Sequence, residues 1–274
     1  TLAVDAVTIA SLTGSEYLAE SANDLAYSVN YSSSGWRRGT SFEFSGLIAN
    51  TTYYAQVRGR SLSGVPTAVV ALGSTITLAA VPQAAASTFT VVEISSIGVQ
   101  WTAGGNPAGT EFRAAASTSA DFSGVTILGS WGTATTELFN ALALNTSYYF
   151  QASGRNAAGR EGSPLAMGAA HTRAVAPSGS VITSAQTTGF SLEWSANGNP
   201  AATRFAAPAA ILADFSTVLA SSMTFSTAAV FSGLPSASTF YARVRAFNGN
   251  GLATSFDVAV STLTGIDGAA PGVS

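Results

Sequence analysis

The chain has no cysteine, no lysine and a single histidine, His171, in 274 residues. Without cysteine there is no disulfide framework, and no thiolate to bind metal or attack a substrate. Any Ser-His-Asp or histidine-based metal site would rest on His171 alone. No second ligand or nucleophile motif accompanies it, so it reads as a surface strand residue. Charge is equally scarce: 9% of residues are charged, against a typical ~25%. All 11 basic residues are arginine and the net charge is −3, too weak and dispersed to steer nucleic acid. No apolar run approaches the ~20 residues of a membrane-spanning helix, so no membrane insertion is expected. No basic-headed signal opens the chain, and an exported form would have lost its signal before Thr1. Phosphate loops, calcium loops and dinucleotide fingerprints are also missing. These absences argue against an enzyme and predict no catalytic residue, cofactor or metal.

What is present is repetition. Leu47–Gly64 (LIANTTYYAQVRGRSLSG), Leu142–Gly159 (LALNTSYYFQASGRNAAG) and Leu234–Gly251 (LPSASTFYARVRAFNGNG) are three versions of one stretch. The first two align without a gap at an offset of 95, matching Glu16 to Glu111, Trp36 to Trp131 and Tyr53 to Tyr148. The second and third align at 93, drifting to 92, matching Trp101 to Trp194 and Gly105-Asn106-Pro107 to Gly198-Asn199-Pro200. A self-similarity at this spacing fixes the architecture: tandem copies of one domain-sized unit.

Within the stretch every second residue from Tyr148 onward is apolar or small, the signature of a half-buried strand. Across repeat two the same reading places strands near 88–93, 98–103, 110–117, 124–131, 135–140, 148–154 and 165–173, separated by Gly, Pro, Asn and Ser turns. Trp101 and Trp194 alternate with Val99 and Leu192 and are expected in the core. Each repeated stretch has a leucine followed six residues later by an aromatic that opens the strand. This resembles the tyrosine corner of the fibronectin type III and related immunoglobulin-like sandwiches, where the hydroxyl bonds to the chain just upstream. The resemblance implies that role for Tyr53 and Tyr148, whereas the third copy carries Phe240, which has no hydroxyl. Where the family usually has proline, two residues after the leucine, stand Ala49, Leu144 and Ser236. Trp101 and Trp194 resemble the core tryptophan of the family's second strand.

The expected architecture is therefore all-β: three tandem type III-like sandwiches over residues 1–79, 80–174 and 175–265, with a linker-like tail at 266–274. The linkers Leu78–Pro82 and Arg173–Pro177 are short, so neighbouring sandwiches should be held semi-rigidly, end to end. Aligned at 95, Thr1 falls opposite Ser96, so repeat one lacks its opening strand. Leu2, Val4 and Ala6 then form an open edge able to accept a strand from a neighbour. The tail residues Ala269, Ala270, Pro271 and Val273 are the candidate link to the next chain. A longer tandem array is the competing explanation.

Three outward tyrosines, Tyr54, Tyr149 and Tyr241, recur at equivalent sites and are candidate glycan contacts. The plainer reading is cross-strand packing or an intersubunit contact. Arg58, Arg60, Arg243 and Arg245 share that face and read as solvated or interfacial pairs rather than an anion site. Asp121-Phe122-Ser123 and Asp214-Phe215-Ser216 read as turn caps with a core phenylalanine. Asn30, Asn50 and Asn145 each open an Asn-X-Ser/Thr glycosylation pattern. Sparse charge suggests an outer surface covered by copies of the same chain. The expected function is an extracellular or cell-surface structural repeat unit whose chains assemble head to tail as a homopolymer. The alternative is a monomeric binding or spacer module, such as an adhesin stalk or a carbohydrate-binding accessory domain.

Overall fold

The computed structural model describes residues 2–5, by backbone alone, and 14–266. Repeat one contributes β1 (Leu2–Asp5), β2 (Glu16–Ala22), β3 (Ser32–Ser33), β4 (Ser41–Phe44), β5 (Thr52–Arg60) and β6 (Val70–Ile76). Repeat two contributes β7 (Gln83–Val92), β8 (Ile97–Thr102), β9 (Glu111–Ser117), β10 (Thr126–Leu128), β11 (Thr136–Phe139), β12 (Ser147–Arg155) and β13 (Leu165–His171). Repeat three contributes β14 (Ser178–Gln186), β15 (Gly189–Ser195), β16 (Arg204–Ala210), β17 (Val218–Thr224), β18 (Ala228–Phe231), β19 (Thr239–Ala242), β20 (Arg245–Phe247) and β21 (Val260–Leu263).

In repeat two a three-stranded sheet, β11-β8-β7, faces a four-stranded one, β10-β9-β12-β13. Repeat three repeats the scheme with β14-β15-β18 against β17-β16-β19-β21. All pairings are antiparallel, and the fold is a tandem of fibronectin type III-like β-sandwiches. Alternation drives it. Along β12 the residues Tyr148, Phe150 and Ala152 point inward while Tyr149 and Gln151 do not. The inward set meets Ile97, Val99, Trp101, Phe112, Phe139 and Leu142 in one core. Trp101 and Trp194 are 4% and 6% exposed, and Trp194 packs edge-on against Phe205.

Two strands differ from the periodic reading. β7 begins at Gln83, five residues ahead of the expected 88, and meets β8 with register shifts. β10 is cut to three residues. In repeat three the strand equivalent to β12 is split into β19 and β20, and the gap at Arg243–Val244 lies opposite Pro208 of β16. Proline has no N–H to give to a ladder. Ala115 holds that place in repeat two. On the strand's other edge Val244 N–H donates to Asp257 Oδ1 at 2.6 Å.

The corners show why the third copy can do without its tyrosine. Ile48 N–H donates to the Tyr53 hydroxyl at 3.0 Å, and Ala143 N–H to the Tyr148 hydroxyl at 2.9 Å. The third copy has Pro235 where the donor would be and Phe240 where the acceptor would be. Donor and acceptor are missing together, so nothing polar is left unpaired, and Phe240 is fully buried. Removing both partners of a buried bond is near neutral, whereas removing one exposes the full desolvation cost.

A consequence follows for substitution at the corners. Tyr148→Phe orphans the Ala143 N–H and should cost about 1–2 kcal/mol. Phe240→Tyr alone should also destabilise repeat three, because its hydroxyl meets Pro235. Adding Pro235→Ala should recover about 1 kcal/mol of that loss. Native-state hydrogen exchange of core amides in the affected repeat measures each change.

Candidate assembly and binding surfaces

The first surface is the edge of β1. Its backbone pairs with β4 in the register Leu2↔Phe44, Val4↔Phe42. Shifted by 95, this is the β8–β11 register, Ile97↔Phe139 and Val99↔Glu137, pair for pair. β1 therefore occupies the place of a second strand, and among the described residues its sheet has two strands where the others have three. Ala6 and the tail residues Ala269, Ala270, Pro271 and Val273 lie outside the described residues.

The second surface is the joint between repeats, and here the sequence reading missed the working residues. Asn50, at a left-handed φ of 45°, donates from Nδ2 to Thr110 Oγ1 at 2.9 Å and accepts the Ala157 N–H at 2.8 Å. Asn145, at φ 46°, donates to Thr203 Oγ1 at 2.7 Å and accepts the Gly249 N–H at 3.0 Å. From the other side Asn106 brackets Ala80, accepting its N–H at 2.7 Å and donating to its carbonyl at 2.9 Å. Asn199 does the same to Val175 at 3.1 and 2.7 Å. Asn156 and Asn248 complete each joint by donating to carbonyls at the end of the preceding repeat, Thr77 and Thr172. Linker residues Ala79 and Ala174 are buried beneath these bonds.

At each joint two asparagines thus bond across to the other repeat, and a third ties the linker to the repeat that follows it. Asn145 is 8% exposed, with both its Oδ1 and its Nδ2 bonded within the chain. The glycosylation patterns at Asn50 and Asn145 therefore coincide with residues that clamp the joints, whereas Asn30 is exposed. The signal was in the alignment: asparagine recurs at both internal joints at matched offsets. The outer positions carry Ala237 and Ser61 instead.

His171 belongs to the same joint. It is a half-buried residue whose Nε2 lies 2.9 Å from Asn145 Oδ1, with its ring against Gly249. The expectation of a solvated strand residue is corrected: the neighbouring repeat covers it. No group of three or more His, Cys, Asp or Glu side chains converges among the described residues.

The third surface is the outer face of each four-stranded sheet. Tyr54, Tyr149 and Tyr241 are half-buried there, each between small cross-strand neighbours: Ala22 and Ser74, Ser117 and Ala169, Ala210 and Ser261. No aromatic stands directly opposite any of them, so cross-strand aromatic pairing is not what holds them. Farther along the face, Trp36 lies under Arg58 and Arg60, and Trp131 under Arg113 and Arg155. Those arginines pair with Glu20, Glu16, Glu161 and Glu111 respectively. Glu20 is buried; the three half-exposed pairs contribute ~0–1 kcal/mol each, and together the four neutralise the face.

The Asp-Phe-Ser turns behave as caps. Asp121 Oδ1 accepts from Ser123 Oγ at 2.7 Å and from its N–H at 3.1 Å, and Asp214 accepts from Ser216 in the same way. These bonds favour the charged carboxylate and hold both acids below the usual aspartate range. A depressed folded value means the stabilisation is present above the unfolded aspartate pKa. It is lost as pH falls through the folded one. NMR titration should find the Asp121 and Asp214 midpoints below ~3.9, with Ser123→Ala and Ser216→Ala moving each back up.

For the joints, Asn145→Ala leaves the Gly249 N–H and the Thr203 hydroxyl without this partner. Ala237 already occupies the equivalent backbone at φ 50°, so the local turn should persist. The joint should weaken by about 1–3 kcal/mol. Faster exchange of the Gly249 amide and a broader distribution of maximum dimension in small-angle scattering would register it.

No family model and no curated protein matches the chain. Among solved structures it is similar to a two-domain fibronectin type III segment of chicken tenascin, at 11% identity and a TM-score of 0.46. That similarity covers 67% of this chain and 99% of the other. It is also similar to the first three type III domains of chicken CNTN1, at 11% identity and a TM-score of 0.31, covering 92% and 89%.

Proposed function

We propose that the chain is a structural module of an extracellular fibre or cell-surface filament, built as a stiff rod and joined head to tail. The observation that carries this reading is the repeated asparagine clamp. Each internal joint uses the same three side chains on the same backbone groups, which fixes successive sandwiches in one relative orientation. A binding protein with independently moving domains has no need of such joints, because short polar linkers suffice. Load-bearing spacers do need them.

The two ends call for a different chemistry. Ala237 and Ser61 stand where the clamp asparagines would be, so a joint between chains would not use the clamp. The free edge of β1 offers strand addition instead, in which main-chain hydrogen bonds supply affinity and alternate side chains supply specificity. In this reading the incoming strand takes the place that β7 and β14 hold in the other repeats. Covering the sides of neighbouring chains would also account for the scarcity of charge.

A second reading, a surface-borne binding or spacer module, is favoured by Tyr54, Tyr149 and Tyr241. Each lies half-exposed at the same register and is flanked only by small residues.

Electron microscopy of natively isolated material, with its intact mass, separates these readings. Filaments of ~27.6 kDa chains with an axial repeat near ~100 Å, three sandwiches long by strand rise, are the expected result. Isolated short rods of that mass would favour the spacer. A much larger mass would mean that the β1 edge is completed by its own polypeptide.

A further inference from the structure

The outer face of repeat three departs from its two siblings in charge. Glu16 and Glu111 are replaced by Arg204, Gln56 and Gln151 by Arg243, and Ser153 by Arg245, while Ala253 stands in place of Glu161. In repeats one and two every stacked arginine of the tryptophan pairs has a glutamate within 4 Å. Among the described residues Arg204, Arg243 and Arg245 have no ion pair at all. The nearest sequence acids are engaged elsewhere: Asp214 with Ser216, and Asp257 with the Val244 N–H and Ser180.

The three guanidiniums are nonetheless held in order. Arg204 and Arg245 flank Phe247 at 5.0 and 5.1 Å, Arg245 and Arg243 flank Phe256 at 4.8 and 4.0 Å, and Arg243 lies 3.9 Å from Phe215. Alternating with phenyl rings, the cations form one ladder across the sheet. Stacking fixes each guanidinium plane and leaves its edge donors to be satisfied from outside. The Nε atoms of Arg243 and Arg245, like that of Arg58 in repeat one, are buried without a partner, so a ligand at the surface would meet only their remaining donors.

One end of the ladder opens into a cleft. Arg204 and Phe247 line a space of about 560 Å³ together with Phe225, Asn250, Asn248 and His171, where the turn 248–251 meets repeat two. Phe225 is 63% exposed there. The lining offers a bare ring that the apolar face of a pyranose could lie against, an asparagine amide that could meet hydroxyls and an arginine that could meet an anionic substituent. The volume is that of a ligand site. At the first joint the corresponding cleft is bridged by the Arg155–Glu111 pair over Trp131. Here Phe247 and Arg204 stand in their places and the pair cannot form.

We propose that the ladder and cleft of repeat three form a binding site for an acidic polysaccharide, whose carboxylate or sulfate groups meet Arg204, Arg245 and Arg243 in turn. A linear polyanion fits an open row of cations better than a folded acidic protein, because the face offers no central apolar pocket for an anchor. Nucleic acid fits less well, because bases would compete with guanidiniums for Phe247 and Phe256. The site adds a ligand to the rod proposed above without depending on how chains join.

The test is calorimetric titration of the full chain with polygalacturonate, dextran sulfate, neutral dextran and duplex DNA. Binding is expected to one or both acidic polysaccharides and not to neutral dextran. It should weaken about tenfold or more between ~50 and ~200 mM salt. Which of the two binds better assigns carboxylate or sulfate recognition. The triple variant Arg204→Glu, Arg243→Gln, Arg245→Ser installs residues that repeat two already carries on the same backbone, so the sandwich should be preserved. It should lose binding by about tenfold or more. Should the triple variant unfold, Arg204→Glu alone decides at the exposed end of the ladder. The proposal is overturned by three results: no binding to either acidic polysaccharide, equal binding to neutral dextran, or a folded variant that binds like the parent. Tighter binding to DNA than to both polysaccharides overturns the saccharide assignment.

Discussion

Everything in this molecule depends on pairing backbone polar groups where one sandwich ends and the next begins. Inside each repeat the ladders do that work, and the alternating side chains only have to fill the core. At the corner between sheets and at the joint between repeats the ladders stop. Each N–H and C=O there needs a partner from elsewhere or suffers the cost of burial without one. The chain solves the corner with a tyrosine hydroxyl and the joint with three asparagines. Asparagine suits the joint because one amide both donates and accepts, and because it tolerates the left-handed backbone at Asn50 and Asn145.

Two of the differences between repeats follow the same rule. At the corner and at the Arg155–Glu111 pair both partners are lost together, whereas Arg245 keeps the place of Arg58 with Pro208 in the place of Glu20. Pro235 removes the N–H that Phe240 could not have accepted, and Phe247 replaces the arginine whose glutamate has become Arg204. Repeat three is thus not a degraded copy of repeat two. Its core shares most of the inward positions of repeat two, from Phe190 to Val244. Its corner has been exchanged as a matched set and is apolar, while its outer face has lost acids without losing arginines and is cationic.

This division explains what could be read from the sequence. Strands were legible because burial imposes a two-residue period on β12 and its relatives, and Trp101 and Trp194 fell on its inward phase. The corner was legible because a tyrosine six residues after a leucine is a rare local spacing. The joints were not. Asn106 and Asn199 look like turn residues beside a proline, and Asn50 and Asn145 look like glycosylation sites. Their partners stand 24 to 107 positions away, and no local pattern records that distance. His171 was misplaced for the same reason: its exposure is decided by Gly249 of the next repeat. The unpaired arginines were hidden because pairing is a property of the sheet. Arg58 and Arg245 occupy equivalent positions on one strand face, and only the cross-strand residue separates a neutral pair from a free cation.

The joints and the cationic ladder also bear on each other mechanically. The cleft at the second joint is shaped by Gly249, whose N–H donates to Asn145 of the preceding repeat, and by Asn248, whose side chain donates to the Thr172 carbonyl. The same bonds that fix the angle between repeats two and three therefore fix the walls around Arg204. A rod whose joint loosened would lose the cleft's shape while keeping the stacked arginines, since Phe247, Phe256 and Phe215 all lie within repeat three. Stiffness and recognition are then two results of one set of asparagine bonds. Stiffness draws on both internal joints, and recognition draws only on the joint where the glutamate has become arginine.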